Sequence, residues 1–170
     1  MPEPERPHVV ILGAMGVGKS TTGKALAHEL GWRYVDSDTD IERLMGCSGA
    51  EYAKRHGVPE LHQLEAAVLL GALAAEEPAV ITAAASTVEH PLAQGALPRR
   101  AVVVRLVLSR SETIARQAEG AHRRPMSRTE LELLSDRREP FFEQLEDLRL
   151  DAARSTDQLV DAIIDHLRVA

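Results

Sequence analysis

The chain has 170 residues, which is about the size of one folded domain. Hydrophobic residues make up 44% of it but aromatic residues only 3%, so we expect a mainly aliphatic core. The net charge of −6 argues against a general nucleic-acid-binding protein, and the longest apolar run, residues 66–75, is too short to cross a membrane. The single cysteine, Cys47, excludes an intrachain disulfide and favours a cytoplasmic protein.

Predicted strands and helices alternate along the chain. Residues 1–7 are expected to form a loose leader. The predicted strands are 8–12, 32–35, 79–82, 101–108 and 148–151. The main predicted helices are 18–30, 39–45, 49–56, 59–77, 111–117, 129–147 and 156–169. This alternation predicts a single α/β domain over residues 1–170, with a parallel sheet covered by helices on both faces.

Several local features refine this prediction. Ser37 or Asp38 is expected to cap the helix at 39–45. Pro140 is expected to interrupt the helix at 129–147, and the basic segment 118–128 is expected to be a mobile loop. The helix at 59–77 is predicted to bury a stripe made of Leu61, Leu64, Val68 and Ala72.

A phosphate-binding motif follows the first predicted strand. The sequence from Gly13 to Ser20 has the form G-x-x-x-x-G-K-S between a strand and a helix, which is the pattern of a P-loop. Backbone N–H groups, the helix N-terminus and the catalytic candidate Lys19 can then hold the β- and γ-phosphates of a nucleotide, with the Ser20 hydroxyl on Mg²⁺. The predicted nucleotide-binding residues of this motif are Gly13, Gly16, Val17, Gly18, Lys19, Ser20 and Thr21.

The P-loop alone does not name a reaction, because GTPases, ATPases and small-molecule kinases all carry one. GTPases need a guanine-reading motif of the N-K-x-D type, which this sequence lacks. Motors and helicases need a longer chain. The size of the protein therefore favours a kinase.

Two carboxylates follow the second predicted strand. In open parallel sheets, ligands bind beyond the carboxyl ends of the strands. Residues two apart in an extended segment point the same way, so Asp36 and Asp38 are both predicted to face the γ-phosphate. One carboxylate can then hold the Mg²⁺ shell while the other accepts the proton of an attacking hydroxyl.

Arginines supply the remaining candidate site residues. Arg124 is predicted to close over the γ-phosphate from the basic loop and stabilise the charge of the transferring group, with Arg123 as the alternative. Arg137 and Arg138 are predicted to form a fork that holds an anionic group on the acceptor.

Taken together, these motifs resemble the shikimate kinase family over nearly the whole chain. The residues that carry the resemblance are the P-loop with Thr21-Thr22-Gly23, Asp36-Ser37-Asp38 with Ile41-Glu42, Gly46, Ser48, Gly57, Glu60, Glu65, Arg124-Pro125, Arg138 with Pro140, and the segment from Asp151 to Thr156.

The resemblance implies a three-layer α/β/α P-loop fold with a five-stranded parallel sheet of order 2-3-1-4-5 and a mobile lid over about 118–128. It implies ATP as the phosphoryl donor and Mg²⁺ as the metal ion. The site roles that it implies are Asp36 near Mg²⁺, Asp38 on the reacting hydroxyl, Arg124 in the lid, Arg138 on the substrate, and Arg154 against adenine.

Two features of the sequence depart from the family pattern, and both belong to the acceptor half of the site. His62 stands where the family usually has an arginine that pairs with the substrate carboxylate, and a neutral imidazole lacks that fork. Ala83-Ala84-Ala85 replaces three glycines, so methyl groups narrow the pocket. His62 is still counted among the substrate-binding candidates, with a helix-surface role as the alternative.

The sequence therefore predicts an ATP-dependent kinase that phosphorylates a hydroxyl of shikimate or a related hydroxylated metabolite. One alternative is a different acceptor, such as a cyclitol or a sugar acid. Another is a non-catalytic regulatory module that binds ATP, and a nucleotide kinase is a third, weaker one. No nucleic-acid or membrane partner is expected. The oligomeric state is left open, and a monomer is compatible with the sequence.

Overall fold

The structure, a computed structural model, describes residues 6–119 and 126–170. Its centre is one sheet in which all five strands pair in parallel, in the order β2-β3-β1-β4-β5. The predicted sheet order is therefore confirmed. The strands are β1 (His8–Gly13), β2 (Arg33–Asp36), β3 (Ala79–Thr82), β4 (Ala101–Val107) and β5 (Leu148–Asp151).

Eight α-helices flank this sheet in the described part of the chain. They are α1 (Lys19–Leu30), α2 (Ser37–Met45), α3 (Gly49–His56), α4 (Val58–Ala74), α5 (Pro91–Arg100), α6 (Arg110–Glu119), α7 (Arg128–Leu145) and α8 (Thr156–Val169). A short 3-10 helix, Ala85–Glu89, connects β3 to α5.

The central strand β1 is buried on both faces, as a parallel strand covered by two helical layers must be. Its side chains alternate between two cores. Val9 and Ile11 pack in a core that includes residues of α1 and α8. Val10 and Leu12 pack in a second core that includes residues of α4, α5 and α7.

Helix α4 turns a different face inward than the sequence predicts. Its buried residues are Glu65, Ala66, Leu69 and Leu73, and the helix ends at Ala74. The residues of the predicted stripe, Leu61, Leu64, Val68 and Ala72, are only half-buried. The helix is apolar around most of its circumference because it also packs on α2, α3 and α5, so its hydrophobic pattern does not fix the inward face.

Helix α7 continues through Pro140 without a break. The proline removes one backbone donor, but Phe142 and Leu145 beyond it are buried and hold the following turns against the core. The predicted interruption is therefore wrong. At the start of α7, Ser127 and Glu130 form a capping box that fixes the first turn.

Parts of the predicted leader and lid lie outside the described residues. Arg6, near the end of the leader, forms an ion pair with Asp147 at 2.8 Å. Helix α6 ends at Glu119 and α7 begins at Arg128, so the predicted lid segment overlaps both helices, and Arg123 and Arg124 are among the residues left undescribed. No helix among the described residues is both long enough and apolar enough to span a membrane.

Strand order places one crevice at the carboxyl edge of the sheet. The connection from β1 leads to one side of the sheet, over β2 and β3, and the connection from β3 returns to β4 on the other side of β1. Ligands of open α/β sheets bind at such a switch point. The loop after β1 lies there.

Candidate active site

The phosphate loop joins β1 to α1 at this edge of the sheet. Its backbone has positive φ at Gly16 and Gly18, 75° and 101°, which residues with a side chain rarely adopt. Gly18 is the N-cap of α1, and it provides no side-chain hydrogen bond to the first turn. The amide groups of that turn are therefore available to bind a phosphate, which the positive end of the helix also attracts.

The ammonium of Lys19 is held against the backbone of this loop. Its Nζ donates to the carbonyl oxygen of Gly13 at 2.7 Å and to that of Ala14 at 3.1 Å. The ammonium of the predicted catalytic lysine therefore lies against the same loop that carries the predicted amide donors. A cation among amide donors is an arrangement that stabilises phosphate oxygens.

Asp36, at the end of β2, joins the phosphate loop to the second strand. Its Oδ2 accepts a hydrogen bond from the Ser20 hydroxyl at 3.1 Å and another from the Tyr34 hydroxyl at 3.0 Å. The Tyr34 hydroxyl also lies 2.9 Å from Oγ1 of Thr82 on β3. Two neighbouring strands and α1 thus fix the position of this carboxylate.

Asp36 is also the N-cap of α2. Its Oδ1 accepts hydrogen bonds from the backbone N–H groups of Asp38 and Thr39, at 2.9 and 3.2 Å. The sequence favours Ser37 or Asp38 for this role, but the helix begins directly after the strand, and the Ser37 hydroxyl instead donates to the Thr82 carbonyl at 3.0 Å. That predicted cap is wrong.

The early start of α2 also changes the geometry expected of the carboxylate pair. Asp36 ends a strand and Asp38 belongs to a helix, so they are not two residues of one extended segment. Both nevertheless line a cleft of about 30 Å³ together with Lys19 and Ser20. The two carboxylates therefore do meet beside the phosphate loop, although by a different route from the predicted one.

The oxygens in this cleft suit a magnesium ion. Mg²⁺ prefers hard oxygen ligands, and at nucleotide sites it takes only one or two of them from the protein, with phosphates and waters as the rest. The Ser20 hydroxyl and the Asp36 carboxylate supply such ligands 3.1 Å apart. Residues 6–119 and 126–170 contain no group of three or more His, Cys, Asp or Glu side chains that could hold a metal ion by themselves, so an ion here would depend on the phosphates.

A second and much larger cavity, of about 890 Å³, adjoins the cleft. Helices α2, α3, α4 and α7 supply much of its lining. The predicted substrate-binding residues His62, from α4, and Arg138, from α7, both line it. Asp38 lines this cavity as well as the small cleft, so it lies where the two spaces meet.

His62 is half-buried in the cavity wall. Burial lowers its pKa below the ordinary value of 6.5; the nearby Arg138 and Arg137 also lower it, and Glu89 acts in the opposite direction. The imidazole is therefore neutral at pH 7. It can donate one hydrogen bond to a ligand and accept another, but it adds no positive charge to the cavity.

The three alanines after β3 fit the backbone without strain. Ala84 has φ −63° and ψ 143°, and positive φ occurs only at glycine among the described residues. Ala83 is buried in the core that includes α4 and α5, while Ala84 and Ala85 line both the cleft and the cavity. The methyl groups thus occupy space next to Asp38 without filling the cavity.

The arginine fork predicted for Arg137 and Arg138 exists, but it binds a carboxylate of the chain itself. Glu89, at the end of the 3-10 helix, accepts hydrogen bonds from Nε of Arg137 at 2.6 Å and from Nε of Arg138 at 2.9 Å. Sequence reasoning missed this acid. The signal was indirect: neither arginine has an acidic residue three or four positions away along α7.

A buried acid on α4 forms another polar contact beside the cavity. Glu65 is 4% exposed and accepts a hydrogen bond from the Ser86 hydroxyl. The neighbouring Thr87 hydroxyl donates to the Ala84 carbonyl at 2.7 Å. Both hydroxyls that follow the three alanines are thus used in holding the 3-10 helix in place.

Two further arginines mark the outer part of the site. Arg116, on α6, donates to the carbonyl oxygen of Gly16 at 3.2 Å and so contacts the phosphate loop, which sequence reasoning also missed. Arg154, predicted to contact adenine, is exposed in the turn after β5, and its role stays a prediction. The catalytic candidate Arg124 lies outside the described residues.

Comparison with known proteins agrees with this geometry. A profile described as shikimate kinase matches residues 15–168. The chain belongs to the shikimate kinase family. It is 32% identical to the shikimate kinase of Geobacter metallireducens over 166 residues, covering 94% of this chain and 91% of that protein. It is 29% identical to the Synechococcus shikimate kinase, covering 94% of this chain and 85% of the relative.

The fold is that of solved shikimate kinases. The Acinetobacter baumannii enzyme in complex with shikimate superposes with a TM-score of 0.87 at 22% identity, covering 98% of this chain and 95% of that one. Membership in the shikimate kinase family makes this chain an ATP-dependent kinase that uses Mg²⁺ and transfers phosphate to a hydroxyl group. The P-loop prediction and the predicted donor chemistry are thereby confirmed.

Proposed function

We propose that this chain transfers the γ-phosphoryl group of ATP to a hydroxyl of shikimate, or of a related hydroxylated metabolite, bound in the large cavity. The observation that carries this proposal is the position of Asp38. It lines the cleft that contains Lys19 and Ser20, and it also lines the cavity that contains His62 and Arg138. A carboxylate between a phosphate site and an acceptor site is where a phosphoryl transfer needs its base.

The residues from Gly16 to Thr21 in the phosphate loop have distinct roles in this reaction. The amides of Gly16, Val17, Gly18, Ser20 and Thr21 bind the β- and γ-phosphates, and Lys19 neutralises charge as it shifts toward ADP. Ser20 and Asp36 would hold the Mg²⁺ ion, which neutralises phosphate charge and orients the phosphates when it is bound.

Asp38 acts on the acceptor. Its carboxylate orients the attacking hydroxyl and takes its proton as the new O–P bond forms and the bond between the γ-phosphorus and the ADP oxygen breaks. Arg138 and His62, which line the same cavity, contact the acceptor. Arg124 and Arg154 are proposed to contact the γ-phosphate and the adenine, on the strength of the family resemblance. We further propose that the enzyme acts in the cytoplasm, where MgATP is supplied.

The test is ADP release from MgATP with shikimate, neutral cyclitols and sugar acids as acceptors. Asp38→Asn should lower kcat by about 10²-fold or more while the affinity for ATP stays within about twofold of the wild type. The control is Asp40→Asn on the same helix, because Asp40 is paired with Arg43 at 3.2 Å and lines neither space.

Two results would contradict this proposal. If Asp38→Asn keeps full acceptor-dependent turnover, the assigned base is wrong. If the wild type binds ATP tightly and none of the acceptors stimulates ADP release, the chain is better described as an ATP-binding module.

A further inference from the structure

Glu89 forms ion pairs with two arginines of the cavity lining, Arg137 and Arg138. Its side chain is 21% exposed and accepts three hydrogen bonds, two from Arg137 and one from Arg138. The Arg138 side chain is only 10% exposed and lines the cavity, whereas Glu89 is not part of the lining. Glu89 therefore acts on a ligand through Arg138.

The charge on Glu89 is permanent near neutral pH. Burial alone would raise its pKa, but the hydrogen bonds and positive charges of Arg137 and Arg138 outweigh burial and hold the pKa below the ordinary value of 4.5. The positive charge of the buried Arg138 is thus compensated by the negative charge of Glu89. Arg137 shares the same carboxylate but is 61% exposed, so solvent screens its charge.

The same compensation holds for every arginine among the described residues of the cavity wall. Arg105 is paired with Glu139 and Glu146, and Arg110 is paired with Asp136. Together with the pairs at Glu89, these contacts leave no arginine of that wall without an acid of the chain beside it. The remaining cationic side chain of the lining, Lys54, is exposed on α3.

Apart from the paired arginines and the exposed Lys54, the ionisable side chains among the described residues of the lining add no positive charge. His62 is neutral, and Asp38, Glu42 and Glu65 are acids. A carboxylate on the acceptor would meet Arg138 only in competition with Glu89. A hydroxyl would meet N–H donors and carboxylate acceptors at once, and it can use both.

We infer that Glu89 is a positioning residue for substrate choice, which sets the cavity for an uncharged polyhydroxylated acceptor over one that carries a carboxylate. This inference rests on the proposed function, since it concerns the acceptor of the same reaction. It adds what that proposal leaves open, namely the charge of the molecule that receives the phosphate.

The test compares shikimate with its carboxamide, a ligand of nearly the same shape that carries no charge. Their affinities for the full chain, measured by calorimetry in the presence of the non-hydrolysable ATP analogue AMPPNP and Mg²⁺, give a ratio that a purely structural role of Glu89 would not change. We expect the wild type to favour the carboxamide. Glu89→Gln should shift the ratio toward shikimate by about tenfold, because it removes a like charge from the cation that a carboxylate must use.

Two further variants separate charge from folding. Glu89→Asp keeps the charge, so its ratio should stay within about twofold of the wild type. Glu143→Gln removes an acid from the exposed surface of α7 and should also leave the ratio within about twofold, because its partner Arg149 does not line the cavity. If Glu89→Gln does not fold, Glu89→Ser replaces it in the same comparison.

The inference is overturned if the wild type prefers shikimate to its carboxamide, if Glu89→Gln leaves the ratio unchanged, or if neither compound binds to either protein. The proposed function fails on a different measurement, the absence of acceptor-dependent ADP release. Because the binding ratio is read without turnover, the two failures can be told apart.

Discussion

The hydroxyl of Tyr34 donates a hydrogen bond to Oδ2 of Asp36, two residues further along β2, at a distance of 3.0 Å. The same hydroxyl lies 2.9 Å from Oγ1 of Thr82 on the neighbouring strand. Burial raises the pKa of Tyr34 above its ordinary value of 10, so the group remains a hydroxyl and a donor. A carboxylate that is proposed to help hold Mg²⁺ is thus oriented by a tyrosine that is not itself among the proposed ligands.

Removing this hydroxyl should weaken the use of Mg²⁺. Outer partners of metal ligands typically contribute about 10–100-fold to metal affinity, and Asp36 keeps its bond from Ser20, so we expect about tenfold for Tyr34→Phe. The measurement is the Mg²⁺ concentration that gives half-maximal ADP release. The other tyrosine, Tyr52, stacks near His56 on α3 and provides the control, Tyr52→Phe. An equal Mg²⁺ requirement in both variants would contradict the role given to Tyr34.

Close packing at Gly23 holds the same tyrosine in place. A Cβ atom added to Gly23 would lie 2.7 Å from Cγ2 of Thr82 and 2.8 Å from Cε2 of Tyr34, both too short for carbon atoms. Gly23→Ala should therefore lower the free energy of unfolding by about 1–3 kcal/mol, as overpacked cores do, and should raise the Mg²⁺ requirement as well.

A matched glycine-to-alanine substitution elsewhere shows whether the loss of stability in Gly23→Ala comes from the close contacts of the new methyl group or from a change in helix propensity. Gly71 lies in α4 with nothing within 4 Å of an added Cβ, so Gly71→Ala should stabilise the protein by about 0.5–1 kcal/mol. Denaturant unfolding of the two variants measures both effects. If Gly23→Ala is as stable as Gly71→Ala, the packing argument fails.

Local patterns in the sequence predict much of the fold. The P-loop and the alternation of strands with helices depend on patterns of a few residues, and they are found as predicted. Sheet order followed from the family resemblance and is confirmed. The predictions that are wrong concern which face of a helix is buried and where a strand gives way to a helix. The inward face of α4 depends on three other helices, and the Asp36 cap depends on where β2 stops.

The acceptor half of the site shows why long-range pairing escapes a reading of the sequence. Glu89 is 48 and 49 residues away from the two arginines that it holds. A two-arginine pattern with no nearby acid indicates an anion partner but cannot say whether that anion belongs to a substrate or to the chain. The phosphate half is different, since Lys19, Ser20 and the loop amides all lie between Gly13 and Thr21 and are placed by local geometry.

Arg105 lies on β4 with its side chain only 8% exposed, between two acids and an aromatic ring. It pairs with Glu139 and Glu146, and its guanidinium carbon lies 4.5 Å from the ring centre of Phe142. The hydrogen bond and charge of Arg105 lower the pKa of Glu139. Arg105→Met removes charged hydrogen bonds to Glu139, which is 41% exposed, and to Glu146, which keeps its contact with Arg149, so it should lower the free energy of unfolding by about 1.5–3 kcal/mol.

The control for Arg105 is its exposed neighbour on β5. Arg149 also pairs with Glu146, at a distance of 2.8 Å, but the Arg149 side chain is 47% exposed. Exposed ion pairs contribute about 0–1 kcal/mol, so Arg149→Met should stay within that range. Equal losses for the two variants in denaturant unfolding would show that burial of Arg105 does not determine the effect.

His8 begins β1 with its ring fully buried. Its Nε2–H donates to the Ala75 carbonyl at 3.0 Å, while Nδ1 has no partner among the described residues. Burial lowers the pKa of His8 below 6.5; the hydrogen bond with Ala75 opposes this, and Arg100 and Arg33 lower the pKa further. The folded chain therefore holds His8 neutral at a pH where the unfolded chain already binds a proton.

The sign of the pH effect follows from that difference. The stabilisation is complete above pH 6.5 and is lost as pH falls below it, because the unfolded state then binds more protons. Each such group contributes a slope of up to about 1.4 kcal/mol per pH unit. His8→Gln can keep the donor to Ala75 but does not titrate, so its free energy of unfolding should fall less steeply than the wild type's between pH 6.5 and 5. The slope that remains in this variant includes His62, whose pKa is also lowered. Urea titrations at half-unit steps from pH 5 to 8 measure both curves, and parallel curves would exclude His8 as a source of the acid sensitivity.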